Sequence, residues 1–317
     1  MERGRLILSV LAILSVAALA GAQDAAPASP PVHVVLFTHI EDNTPPGALG
    51  TAANRDNYLA WRGRLLEMGT LARLHDVRWS LQPDWKFLVA ALQYESGEAM
   101  SSTGGLNVLR YLRDVLGVHI DPHSHESGGY NYTDVALLLD MLGVGGSRVI
   151  GGHIWDPALP QFQEWDRFRE PVRGLRFPAA TWQGDILMGS GTPNHVNDPI
   201  VSGVWRPRDR GDYFADDPAA NIACVGAFRG DLAGIAELID LKRRGQVGPD
   251  CLLTSTYHIR PADLSGPGGL ARIEASVLAP LTALRAEGAV VLTDFTALVA
   301  TWRTQLAGHA CLVQEVR

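Results

Sequence analysis

Two short stretches carry residue types that can do chemistry. The first, LFTHIEDN (Leu36 to Asn43), ends an apolar run on a histidine, two adjacent carboxylates and an amide. Neighbouring carboxylates can divide labour, one binding a metal while the other takes a proton and activates water. Glu41-Asp42-Asn43 ahead of TPPG also has the composition of a solvated turn. The second stretch is VHIDPHSHES (Val118 to Ser127). Asp121, His123 and His125 recur at period two, so on extended backbone they point to one side. Two imidazoles and a carboxylate are a Zn2+ donor set that leaves a position for water. Pro122 places the cluster at the exit of a strand rather than inside it. The alternative is a pair of surface histidines in a loop.

Two later stretches add to these. LLTSTYHIRP ends an apolar strand on His258, whose role is general acid, further ligand or structural residue. Tyr257 beside it is taken as substrate-facing. GLRFPAATW is read as extended, with Arg176 and Trp182 on one side; Arg176 could orient a carboxylate or form a plain surface ion pair. Trp155, Trp165, Trp182 and Trp205 fall in a Pro-, Gly- and Asp-rich middle segment. They are candidate flat platforms for sugars, or core.

The elements that must position these groups alternate in type. VHVVLFT is a β-rich apolar run followed by the helical NYLAWRGRLLEMGTLARL; VRWSLQ, VHID, RVIGG, LRFPAA, IACVGAF, CLLTSTYHI and AVVLTDF then alternate with helical patterns. Repeated strand-then-helix units with apolar strands imply a parallel sheet covered by helices. The expected fold class is α/β, an irregular (β/α) barrel of about seven to eight parallel strands. In such a barrel the strand C-termini form the mouth, where Glu41, Asp42, the histidine pair and His258 would all lie. No glycine-rich nucleotide-binding signature follows an early strand.

Composition excludes several classes. The 317 residues are 46% hydrophobic with a formal charge of −7, which suits an ordinary globular chain and argues against a nucleic-acid partner. Lys242-Arg243-Arg244 reads as a helix C-terminus answering its dipole. Residues 1–22 resemble a secretory signal, with Arg3 and Arg5, an apolar run from Leu6 and the small residues Ala20-Gly21-Ala22. Residues 23–31 form a linker and 32–317 a single domain. The mature protein is therefore expected to be secreted or periplasmic, touching a membrane only through an uncleaved N-terminus. With only Cys224, Cys251 and Cys311 and no C-x-x-C pair, at most one disulfide forms and the sequence argues against a cysteine-built zinc site.

Taken in order, the carboxylate pair, the H-S-x-x-S of His123 to Ser127, the R-x-P of Arg176 to Pro178 and the late strand ending in His258 resemble the polysaccharide deacetylase family. The resemblance spans Val32 to Trp302 and implies a distorted (β/α) barrel and a carbohydrate substrate. It implies Glu41 as base, Asp42, His123 and His125 as ligands of a divalent metal, most simply Zn2+, and protonated His258 as acid, with Arg176 in the catalytic set. Trp182, Trp205 and Tyr257 would meet the substrate. The chain departs from the pattern at five places. Glu41 replaces an aspartate, Asn43 a glycine, Ser127 the second ligand histidine, Ala179 an aromatic and Thr256 a leucine. Two other readings remain: an amidohydrolase-type metal hydrolase, since IDPHSH is similar to that family's D-x-H-x-H, and a catalytically silent carbohydrate-binding barrel.

Overall fold

In the computed structural model the described residues are 31–152, 164–188 and 200–315. The expected signal segment 1–22, nearly all of the linker and Trp155 lie outside them. In chain order the strands are β1 (Val32–Ile40), β2 (Trp79–Pro83), β3 (His119–Ile120), β4 (Val149–Ile150), β5 (Val172–Arg173), β6 (Thr181–Trp182) and β7 (Ile186–Met188). They continue with β8 (Ile200–Ser202), β9 (Val204–Trp205), β10 (Ala223–Val225), β11 (Thr254–His258), β12 (Val290–Thr293) and β13 (Val313–Glu315).

The first sheet is parallel, ordered β11-β1-β2-β3 with β12 also on β1; the second runs β4-β7-β10-β9. No continuous ladder closes a ring among the described residues. β3 reaches β4 only through the isolated parallel bridge His123–Gly151. β10 reaches β11 through the Thr256 amide donating to Ala227 O (3.2 Å) and the Thr254 hydroxyl donating to Gly226 O (2.6 Å). The expected all-parallel arrangement also breaks at β9, which is antiparallel to β10, and at the β5–β6 and β8–β13 pairs.

β1 explains its own sequence. Val34, Leu36 and Ile40 pack into the main core under the helices, while Val35 and Phe37 join a second cluster with Val149, Ile186, Met188, Ala223 and Val225 from the other sheet. Both faces are buried, so the strand reads as continuous apolar chain instead of alternating. His39 lies two residues beyond Phe37 and shares its face. The helix Phe295–Gln305 supplies Phe295, Leu298, Val299 and Trp302 to the second cluster.

The expected strand over LRFPAA is absent. Residues 175–180 form the turn between β5 and β6. The cause is Asp134, fully buried at the start of the helix Tyr132–Met141. Its carboxylate accepts the backbone N–H groups of Leu175 (2.9 Å), Arg176 (3.0 Å) and Phe177 (2.9 Å), a convergence that an extended strand cannot offer. Lys242 and Arg243 do end a helix, Leu232–Arg243. Cys251 and Cys311 form one disulfide, and Cys224 is a buried thiol. Among the described residues no helix is long and apolar enough to cross a membrane.

Candidate functional site

Parallel register brings the chemistry together. His39 pairs with Gln82 across β1 and β2, and Leu81 with Ile120 across β2 and β3. Counting on, Glu41, Asp84 and His123 leave their strands at one level, just past the pleated part of the sheet. His258 ends β11 opposite Phe37. The exits of β1, β2 and β3 therefore converge on one patch, with the end of β11 beside it.

Glu41 is its centre. One carboxylate oxygen lies 3.2 Å from His123 Nε2 and 3.1 Å from His125 Nε2. His123 is buried, and its Nδ1 lies 3.2 Å from Gly151 O. That backbone contact orients the ring so that Nε2 faces Glu41. Gly152 allows this, because its φ of +74° and a Cβ position only 2.1 Å from His123 Nδ1 exclude any side chain. Asp84 is 0% exposed; it accepts the Trp85 and His125 amides at 2.5 and 3.0 Å. Among the described residues, two three-residue groups have donor atoms within 4.8 Å of one another: His39, Glu41 and His123, and Asp84, His123 and His125.

Burial would raise the Glu41 pKa, but hydrogen bonds to His123 and His125 outweigh it and hold the carboxylate ionised, far below its usual range. Burial pushes His39 well down and His258 down to about 4, so both are neutral imidazoles at neutral pH. His125 is raised, chiefly by its hydrogen bond to Glu41. Burial raises Asp84 despite nearby His123.

Of the residues singled out in the sequence, Glu41, His123 and His125 come together. Asp42 is adjacent but in neither group: its Oδ1 is 3.8 Å from His125 Nδ1, and its Oδ2 accepts the Ser127 hydroxyl at 2.5 Å. Asp121 does not join the histidines, because its buried carboxylate is engaged by His119 (3.1 Å) and the Ser147 hydroxyl (2.6 Å). His258 stacks on Phe37, ring centroids 4.7 Å apart, and the expected protonated form is the one that burial disfavours.

The expected substrate contacts fare differently. Arg176 is exposed on the β5–β6 turn, not paired with Trp182 along a strand. Trp182 is half-buried, stacking on Tyr132 and donating to Ser147 O (3.1 Å). Trp205 is 1% exposed, its indole donating to Tyr213 O (2.7 Å), and Trp165 is as deeply buried; both are core, offering no face to a ligand. Tyr257 points to the face of β11 opposite His258 and packs on the main core.

Sequence reasoning missed His39 and Asp84. His39 is stacked on His123, centroids 4.2 Å apart, with its Nε2 buried and without a hydrogen-bond partner. Its signal was the i, i+2 spacing to Glu41. Asp84 was concealed because an aspartate before WKFLV also reads as a helix N-cap, a role it does fill.

No protein-family model matches the chain, and no curated protein matches it in sequence. In three dimensions it is similar to the Puue allantoinase, at TM-score 0.50 and 10% identity over 89% of this chain and 93% of that one. It is also similar to a probable polysaccharide deacetylase from Pseudomonas aeruginosa (TM-score 0.49, 10% identity, 88% and 93% covered). A third likeness is to a 4-alpha-glucanotransferase from Thermococcus litoralis (TM-score 0.44, 11% identity), where 86% of this chain spans 40% of that longer one. At such identities the likeness speaks for the fold alone. The α/β fold class expected from the sequence agrees with the likeness to the allantoinase.

Proposed function

We propose that the chain is a metal-dependent hydrolase that removes acyl groups from amide- or ester-linked sugars. The observation that carries this reading is the convergence of His123 and His125 on ionised Glu41, with Asp84 buried beside them. We read the two sheets as one irregular barrel of about seven to eight strands, with this patch at its mouth. Support comes from the shared Val35–Phe37 cluster, the His123–Gly151 bridge and the two hydrogen bonds that join β10 to β11.

The donor set fits a divalent cation. Two imidazole nitrogens and a carboxylate oxygen lie within 4.8 Å of one another, and side-chain rotation can draw them to the separation of about 3.3 Å set by tetrahedral bonds of about 2.0 Å. Asp84, His123 and His125 would hold the ion, Zn2+ being the simplest choice for this chemistry. A bound ion supplies Lewis-acid polarisation of the scissile carbonyl and makes water more acidic.

Glu41 then does the proton work. Its side chain keeps 31% of its exposure, enough to reach water, whereas Asp84 has none. It takes a proton from the attacking water and returns it to the leaving nitrogen or oxygen, base first and acid second. His258 and His39, neutral and stacked, shape the floor of the site. Asp42, held by Ser127, positions the loop after His125. The Cys251–Cys311 bridge and the composition of residues 1–22 support export to an oxidising compartment. N-terminal sequencing of the exported chain should then read from near Gln23.

The test is acyl release by the metal-loaded protein from N-acetylated chito-oligosaccharides, O-acetylated sugars, a simple aryl acetate and allantoin. Release from an acylated sugar, falling about 10²–10⁴-fold in Glu41→Gln, is expected. Turnover of allantoin alone would move the substrate to cyclic amides. No turnover of any of them would leave a silent binding barrel.

A further inference from the structure

A row of aromatic side chains leads away from the candidate site, and it is not one that the tryptophan-rich middle segment suggested. Trp85 follows Asp84 directly and opens the helix Trp85–Tyr94. Its indole N–H donates to Ser127 Oγ at 3.1 Å, and that hydroxyl donates to Asp42 at 2.5 Å, so the ring is tied to the loop carrying His125. Gly128 brings the loop flush onto the ring: a Cβ there would lie 2.5 Å from Trp85, and its φ is +62°. Tyr130 stacks parallel to the indole, centroids 4.8 Å apart and planes within 3°. Phe177 meets Tyr130 edge-on at 6.4 Å, on the turn that Asp134 clamps.

Three segments far apart in sequence thus each contribute one ring to a strip beginning one residue from a candidate ligand. All three rings rest on the main core yet stay partly exposed, while Trp79, Trp165, Trp205 and Trp302 are fully buried. A core cover would not need every ring fixed at its polar end or backbone. A platform would, because a pre-ordered ring loses little entropy when a ligand settles on it.

Resting on the hydrolase reading above, we propose that Trp85, Tyr130 and Phe177 bind a pyranose ring of the substrate, with Trp85 setting the preference for acylated saccharides over acyl donors that lack a sugar. The C–H face of a pyranose is apolar and can pack on the aromatic carbon that these partly exposed rings leave uncovered, while its hydroxyl rim stays in water.

The experiment compares wild type, Trp85→Ala, Trp85→Phe and Tyr130→Leu on an acetylated chito-oligosaccharide and on an aryl acetate. Oligosaccharide affinity is measured alongside by calorimetry, and melting temperature reports folding. The expected result is a KM for the oligosaccharide that rises about 10-fold or more beyond any change for the aryl ester in Trp85→Ala, with affinity falling in parallel. Trp85→Phe should recover part of the loss. Equal losses on both substrates, or unchanged oligosaccharide affinity in folded Trp85→Ala and Tyr130→Leu, overturn the platform. If Trp85→Ala does not fold, Tyr130→Leu is read in its place. A wild type that cleaves the aryl ester but binds no oligosaccharide keeps the hydrolase and removes the platform. One that binds oligosaccharide through Trp85 but cleaves nothing keeps the platform and removes the hydrolase.

Discussion

Asp134→Ala should unfasten the β5–β6 turn, and the structure gives the scale of the effect. The carboxylate is fully buried and accepts four backbone N–H groups, from Asn131 (2.9 Å) as well as from Leu175, Arg176 and Phe177. Leu175 and Arg176 lie at the surface, so water can take up their amides; those of Asn131 and Phe177 are more enclosed. Two stranded donors at about 1–3 kcal/mol each, plus the loss of the charge-assisted bonds at the surface, offset by relief of a buried charge, give a net cost of roughly 3–5 kcal/mol. For a domain of this size that is a fall in Tm of about 6–10 °C. Scanning calorimetry reads it directly, and limited proteolysis should find new cleavage at the turn. Asp134→Asn keeps one acceptor oxygen and should lose less. A Tm for Asp134→Ala within about 2 °C of wild type would refute the clamp, and with it the explanation of why RFP is a turn.

Two further outcomes concern the rest of the fold. His33 is lowered to about 4, mainly by burial and then by the Lys242 charge. Between about pH 6.5 and 4 the unfolded chain binds the extra proton, so this contribution to stability is complete above pH 6.5 and drains away on acidification, up to roughly 3 kcal/mol. Urea midpoints for wild type and His33→Gln should converge as pH falls through that window, and parallel curves would contradict it. Removing the Cys251–Cys311 link, which closes 60 residues, should cost about 4 kcal/mol in the double serine variant; an unchanged urea midpoint would show the link to be energetically idle.

What could be read from sequence were the features carried by local pattern. The apolar run of β1, the alternation of strands with helices, and the histidine pair at a strand exit all appear where neighbouring residues required them. The failures share a cause. LRFPAA has the composition of a strand, and what bends it is an aspartate 41 residues earlier in the chain. His39 hides inside an apolar run because β1 is buried on both faces, and only the arrival of His123 beside it gives it meaning. Asp84 satisfies a helix cap and a candidate ligand group with one carboxylate, and the commoner role masks the other. The tryptophans show the same limit from the other side: Trp205 and Trp165 look like Trp85 in sequence, and only packing separates core from surface strip.

His123 belongs to both candidate donor groups, and its Nε2 is already aimed by Gly151, so metal content in its absence tests the account most directly. Mass spectrometry of wild type, His123→Ala and Asp42→Ala, purified in parallel, should find about one divalent ion per chain in wild type and less than about a tenth of that in His123→Ala. Asp42→Ala, outside both groups, should keep most of it. Equal metal in wild type and His123→Ala, or none in either after loading, would contradict the metal centre and leave the three converging strand exits as a hydrogen-bonded cluster of histidines and carboxylates.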